Sequence, residues 1–223
     1  ELAWTALDDP AGYSSPIAVT AAGVRQVVFL TGNSVVGVAP EDGKLFWRYP
    51  WVTPYGVNAA TPLSFRAVLE GRPLDYVFVS SGYNKGCALL KLEADRAGGV
   101  RAKPVYTSNE LCLHFSSPVR YRDHLYAVDE TRGLTCIDLR TGKLSWRRPG
   151  FTQGSLLRVD DHLLVLGGTT GELALVEANP REYVKQASAR PLRGRCWTMP
   201  VLADGKLYLR DEEKILCLDV RKR

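Results

Sequence analysis

Residues 114–150 read HFSSPVRYRDHLYAVDETRGLTCIDLRTGKLSWRRPG. Four short apolar runs stand in this stretch, and each is closed by turn chemistry. Arg122-Asp123-His124 makes the first turn, Thr131-Arg132-Gly133 the second and Arg140-Thr141-Gly142-Lys143 the third. The runs alternate apolar with small or polar residues, which is the period of a strand. Gly supplies the positive φ that a tight hairpin needs. The stretch therefore predicts one antiparallel sheet of four strands.

Working outward, the same unit recurs. Its first strand is anchored at Ser14-Ser15-Pro16, Ala60-Thr61-Pro62, Ser116-Ser117-Pro118, Gly154-Ser155-Leu156 and Thr198-Met199-Pro200, at spacings of 46, 56, 38 and 44 residues. Second strands follow at VVFLTG, DYVFVSSG, HLYAVDE, HLLVLGG and KLYLRDE, and third strands at VVGVAP, ALLKLEA, LTCIDL, LALVEA and ILCLDV. Fourth strands carry a Trp in the clearest copies, KLFWRYP and KLSWRRP. The second copy is ragged, with AVLEGRPLD between its first two strands and EADRAGGVRAKPVY between its last two. Short pieces near Asn179–Arg181 and Glu93–Ala97 read as loops. A four-stranded repeat near 40 residues is the signature of a β-propeller. The expectation is an all-β propeller forming a single domain over 1–223, with five repeats at about 12–50, 57–108, 113–150, 151–193 and 195–223 plus 1–6.

Composition narrows the classes. With 223 residues and 45% hydrophobic content, the chain can bury a sizeable core. The net charge of +5, from 29 Lys and Arg against 24 Asp and Glu, gathers at Arg147-Arg148, Arg190 to Arg195 and Arg221-Lys222-Arg223. It forms no basic stripe interleaved with aromatics, so nucleic-acid binding is not expected. No run of about 18 apolar residues encodes a membrane span. The start at Glu1, without Met or a leader and inside a strand-like stretch, predicts a processed or truncated product. Cys87, Cys112, Cys136, Cys196 and Cys217 form no CxxC pair, so a zinc site is not expected. No disulfide is expected either, since Cys136 and Cys217 fall on equivalent third strands of the third and fifth repeats, with a whole blade between them. Cys136, Cys217, Leu175 and Gly37 occupy one repeat position, which reads as buried packing. His124 and His162 read as turn residues.

GVAPEDGKLFW (37–47) and CIDLRTGKLSW (136–146) share a frame in which Gly-Lys is followed, after two intervening residues, by Trp. This frame resembles the repeat of the quinoprotein-like propellers, the family named for pyrroloquinoline quinone. GYSSPI, SSGYNKGCALL, HFSSPV and CWTMPVLADGKLYLRD are similar to its planctomycete-type repeat proteins of unassigned function. The resemblance implies that Trp47 and Trp146 dock between neighbouring blades, and that Trp4 in Glu1-Leu2-Ala3-Trp4 ends a further copy. Tyr183 stands near the Trp place in the fourth copy. Family members usually have seven or eight blades, so the five repeats are expected to be part of a larger ring. The resemblance also implies a periplasmic or otherwise extracytoplasmic setting.

For function, the residues name no chemistry. There is no G-x-S-x-G, H-E-x-x-H or P-loop pattern, no adjacent Cys pair, and no calcium-loop spacing of Asp, Glu and Asn. The expected role is non-enzymatic binding or scaffolding, with no cofactor, no metal and an unknown protein or small-molecule partner. Propellers of outer-membrane assembly scaffolds are similar. The alternative is a pyrroloquinoline-quinone-dependent dehydrogenase. In a propeller, the loops leading into the first strands and those between second and third strands share one face. That face predicts a ligand rim of Tyr13, Asn33, Asn58, Tyr83, Asn84, His114, Asp129, Arg132 and Trp197. Glu130 and Asp211 lie in the same set of loops. Residues 2–6 are expected to form an outermost strand with Trp4 against a blade; pairing with 215–220 would mark a closed ring, and its absence an open arc.

Overall fold

The computed structural model describes residues 1–95 and 98–221. Five antiparallel sheets in sequence order are its architecture, and each is a propeller blade. The first holds β1 (Ile17–Ala21), β2 (Val24–Leu30), β3 (Ser34–Val38) and β4 (Leu45–Pro50). The second holds β5 (Leu63–Val68), β6 (Pro73–Ser81), β7 (Gly86–Ala94) and β8 (Val100–Ser108). The third holds β9 (Val119–Tyr121), β10 (His124–Asp129), β11 (Gly133–Asp138) and β12 (Leu144–Arg148). The fourth holds β13 (Ser155–Val159), β14 (His162–Leu166), β15 (Leu173–Glu177) and β16 (Lys185–Ala189). The fifth has three strands, β17 (Val201–Ala203), β18 (Lys206–Arg210) and β19 (Ile215–Asp219). The one helical turn among the described residues is a 3-10 turn at Pro54–Gly56. The chain divides into two compact units, Glu1–Phe115 and Ser116–Arg223.

The turn residues act as the sequence predicts. Gly43 (φ 72°) and Gly142 (φ 67°) turn the hairpins between third and fourth strands, and donate their N–H to Ala39 O and Asp138 O. Asp138 tightens its hairpin further, because its carboxylate accepts from the Arg140 and Thr141 N–H groups at 3.0 and 2.8 Å. His124 and His162 open β10 and β14 just after left-handed Arg122 and Asp160.

A β-bulge recurs between third and fourth strands. The pairing shifts after Gly37↔Trp47, Leu89↔Tyr106, Cys136↔Trp146 and Leu175↔Ala187. One extra residue on the fourth strand bends it and re-aims the side chain beside the shift. This register places Tyr106 and Ala187 at the Trp position of the second and fourth blades. Ala187, not Tyr183, is thus the equivalent of Trp146. Tyr183 lies in the wider turn before β16, and its ring meets Trp146 edge-on at 6.0 Å.

In the first unit, two blades close on one core. Val28, Leu30, Val35, Trp47 and Trp51 meet Val77, Val79, Ala88, Leu90 and Leu92. Trp47 is 5% exposed, lies over Gly37 and donates to Gln26 Oε1 at 2.5 Å. In the second unit, Leu166, Leu192, Cys196, Leu207 and Leu209 form a core with Leu157, Leu164 and Leu216.

Several expectations change. Residues 1–12 form no strand. Trp4 nevertheless docks on the first blade, donating to Pro40 O at 3.0 Å and lying against Gly43. Trp146 is half-buried rather than buried; it donates to Asn179 O at 2.8 Å, on the fourth blade. The second repeat has long strands where loops were expected, since most of AVLEGRPLD and EADRAGGVRAKPVY lies in β5–β8. Within 93–97, Glu93 and Ala94 are strand, and Arg96 and Ala97 lie outside the described residues, as do Lys222 and Arg223 of the basic tail. The repeat position shared by Gly37, Leu175, Cys136 and Cys217 is buried at Gly37 and Cys136, half-buried at Leu175 and exposed at Cys217. Trp47 covers Gly37 and Trp146 stands opposite Cys136 on the neighbouring strand, whereas among the described residues β19 pairs with β18 alone.

Candidate functional site

The predicted rim residues fall in both units. In the first, one hydrogen-bonded network holds three of them. Asn58 is fully buried and donates from Nδ2 to Thr31 O at 2.7 Å and Trp51 O at 3.3 Å. Its Oδ1 accepts from Ser81 Oγ at 2.7 Å and Thr53 Oγ1 at 3.2 Å. Its carbonyl accepts the N–H groups of Tyr13 and Ser14 at 2.8 and 3.1 Å. Asn58 therefore satisfies its polar atoms inside the protein, and fixes the backbone that presents Tyr13. Asn33 accepts from the Trp51 N–H through its carbonyl at 2.8 Å, and from Ser34 Oγ through its side chain at 3.1 Å.

Tyr83 and His114 meet in a row of rings. Tyr55 packs edge-on against Tyr83 at 6.0 Å, Tyr83 edge-on against His114 at 5.2 Å, and His114 against Phe115 at 5.2 Å. His114 Nδ1 is buried without a hydrogen-bond partner among the described residues. Tyr55 is 89% exposed, and Tyr13, at 77%, is also free of cover. Tyr55, Tyr83 and Asn84 all have left-handed backbones, at φ 63°, 54° and 59°. Three non-glycine residues in this region cost energy, and such outliers gather where a side chain must be presented. Lys85 lies over the Trp51 ring at 4.6 Å, and the Trp51 indole donates to Ser81 at 2.8 Å.

Of this row, Tyr83 and His114 were among the expected rim residues and Tyr55 was not. The available signal was an aromatic inside the tight turn Thr53-Pro54-Tyr55-Gly56, where its own connector offers it no apolar partner.

In the second unit, Asp129 and Arg132 are partners. The buried Asp129 carboxylate accepts the N–H groups of Thr131 and Arg132 at 3.1 and 3.0 Å, and pairs with the Arg132 guanidinium at 2.9 Å. Asp211 caps the equivalent loop of the fifth blade; the N–H groups of Lys214, Glu213, Gly194 and Arg193 hold its carboxyl at about 2. Thr31 does the same work in the first blade, accepting the Ser34 N–H at 3.0 Å. These residues fix loop shape. Trp197 is half-exposed beneath the Arg195 guanidinium, 5.1 Å from its ring. Among the described residues, no group of three or more His, Cys, Asp or Glu converges as metal ligands.

A family model described as outer membrane protein assembly factor BamB matches residues 1–148. The chain belongs to this family. No curated protein matches the sequence. Among solved structures, BamB from Moraxella catarrhalis is 14% identical over 96% of this chain and 84% of that one, with a TM-score of 0.48. The quinohemoprotein alcohol dehydrogenase ADHIIG from Pseudomonas putida is 16% identical with a TM-score of 0.59. The match covers 98% of this chain but 42% of that enzyme. A chain of a nidogen/laminin complex is 12% identical with a TM-score of 0.50, over 95% of this chain and 75% of its own length. These likenesses are of fold. No helix is long and apolar enough to cross a membrane among the described residues.

Proposed function

We propose that this chain is a non-enzymatic binding module that helps hold or assemble protein partners outside the cytoplasm. On this reading its two units belong to one propeller domain, itself part of a larger ring. Membership of the BamB family supports the assembly role and the extracytoplasmic setting. The observation that carries the binding role is the row Tyr55–Tyr83–His114–Phe115, with its exposed end and its unsatisfied imidazole nitrogen. Exposed aromatics contribute large contact area at small entropic cost, as interface anchors do. Tyr13, Asn33, Asn58 and Asn84 serve the same surface: Tyr13 and Asn84 by contact, Asn33 and Asn58 by holding the loops. Asp129, Arg132 and Trp197 shape a second stretch of rim. Trp4, Trp47 and Trp146 are docking residues of the blades.

A photo-crosslinking amino acid at position 55, in cells, tests this reading. Crosslinks to a defined envelope protein, weakened at least tenfold by Tyr83→Ala in a folded variant, are expected. Efficient crosslinking at exposed β16 with none at position 55 overturns it. Dye-linked oxidation of alcohols that requires added pyrroloquinoline quinone and calcium would put the dehydrogenase reading first.

A further inference from the structure

A second feature of the first unit lies at the ends of β6–β8, far along these strands from the loop that carries Tyr83. Glu93 stands directly opposite Arg101 across β7 and β8, and Lys91 stands opposite Lys103. Two like charges facing each other across a ladder are unfavourable. Arg66, Arg72, Lys91, Arg101 and Lys103 are five cations, and Glu70, Asp75 and Glu93 are their three carboxylates. Lys91 is matched by Glu70 at 2.7 Å, and Arg66 by Asp75 at 3.3 Å, the latter carboxylate also accepting the Ala22 N–H at 2.8 Å. Glu93 is left to serve Arg72, Lys103 and Arg101, at 3.4, 3.6 and 3.9 Å. All three distances exceed the roughly 2.7–2.9 Å of a well-made charged hydrogen bond. One carboxylate with three cations leaves a surplus of two positive charges.

Tyr76 lies beside this cluster in the sheet, on the face that carries Lys91. It pairs with Lys91 across β6 and β7, is fully buried, and its hydroxyl has no hydrogen-bond partner among the described residues. Burial, with the Glu70 and Glu93 carboxylates as a lesser cause, pushes its phenol above the ordinary value. Arg72, Arg101 and Glu93 line an open cavity of about 480 Å³ with Arg66, Asp75 and the left-handed Gly23 of the β1–β2 turn.

We infer that this corner binds a dianionic phosphoryl group, held by Arg72, Arg101 and Lys103, the three cations that gather on Glu93. Two guanidinium forks fit tetrahedral oxyanions, and the group's two negative charges match the surplus. The site lies apart from the aromatic row and does not depend on it. Glu93 acts against the ligand as a competing anion, so its removal strengthens binding.

The test uses the full chain in low salt, with two probes: calorimetric titration with inorganic phosphate, and flotation with vesicles containing phosphatidic acid. Saturable binding of one probe or both is expected. Phosphate alone marks a soluble ligand, and vesicles alone mark a lipid headgroup. Arg72→Gln with Arg101→Gln should weaken binding at least tenfold, and Glu93→Gln should tighten it about threefold or more. Lys185→Gln, on β16, should change nothing. All of these are surface substitutions, and a thermal melt confirms their folding. Absence of binding to both probes overturns the proposal, as does binding unchanged in the double variant or weakened by Glu93→Gln.

Discussion

Trp47 and Trp146 stand in the same sequence frame and at the same register, one residue beyond a β-bulge, yet their surroundings differ. Trp47 lies over a glycine, is sealed by a second blade and spends its N–H on a buried Gln26. Trp146 stands opposite Cys136, stays half-exposed and reaches a backbone carbonyl of the neighbouring blade, with Tyr126 and Tyr183 at 6.1 and 6.0 Å. The fifth blade extends the series: among the described residues β19, which carries Cys217, has no fourth strand beside it, and that side chain is exposed. A repeat motif therefore fixes where an aromatic goes, while the partner surface fixes what it is worth.

The sharpest way to break this comparison is truncation of the two indoles. Trp47→Ala should cost about 3–5 kcal/mol, the range for large aromatics removed from a core. Trp146→Ala should cost about 2 kcal/mol, in keeping with partial burial. Equal losses in urea unfolding would show that depth does not separate them. Gly37→Ala, which pushes a methyl into the Trp47 indole and Gln26, should cost about 1–3 kcal/mol. If Gly37→Ala proves neutral, the close seat of Trp47 on β3 is not what holds it.

Acid provides a comparison between the units. The Arg48 guanidinium, with Ser34 and Thr31, holds the Asp9 carboxyl at about 2, against an ordinary value near 3.8. A depressed carboxylate contributes stability that is complete above its unfolded value and is lost as pH falls towards its folded one. Asp9 should thus stabilise the first unit above about pH 4 and cease to do so near pH 2. Asp9→Asn should lower the melting temperature at pH 7 and flatten its fall between pH 4 and 2. A slope identical to that of the wild type would remove Asp9 from the acid response. Asp211→Asn makes the matching test in the second unit.

The smallest perturbation is chemical labelling. Cys87, Cys112, Cys136 and Cys196 are buried free thiols and Cys217 is exposed. Burial also pushes the Cys136 thiol up to about 12, so it stays protonated. One thiol in five should react with a disulfide reagent under native conditions, and Cys217→Ser should abolish the fast phase. Rapid reaction of Cys136 would contradict its burial.

Much of the fold was legible because strand period, Gly-Lys hairpins and the spaced Ser-Pro anchors are local signals that repeat. Third strands and turns fall within a residue or two of the places those signals mark. The raggedness read into the second repeat came from Gly, Pro and charge in AVLEGRPLD and EADRAGGVRAKPVY, which suit an exposed edge as well as a loop. Of the expected rim, Tyr83 was read from the loop between second and third strands and His114 from the entry to a first strand, and the two rings meet in the structure. Tyr55 was not legible, because its packing partner lies 28 residues on, and no period links the two.

The amino-acid sequence by itself determined the number of repeats, the strand order within each blade and the turns that need glycine, since all of these follow from backbone chemistry over a few residues. Tertiary structure alone decided that Asn58 would be a buried tie rather than a rim donor, that Trp146 would stay half-exposed, that Cys217 would lose the cover Cys136 keeps, and that three cations would share Glu93. Burial and pairing depend on what arrives from a neighbouring strand or blade, and that partner lies tens of residues away in the chain.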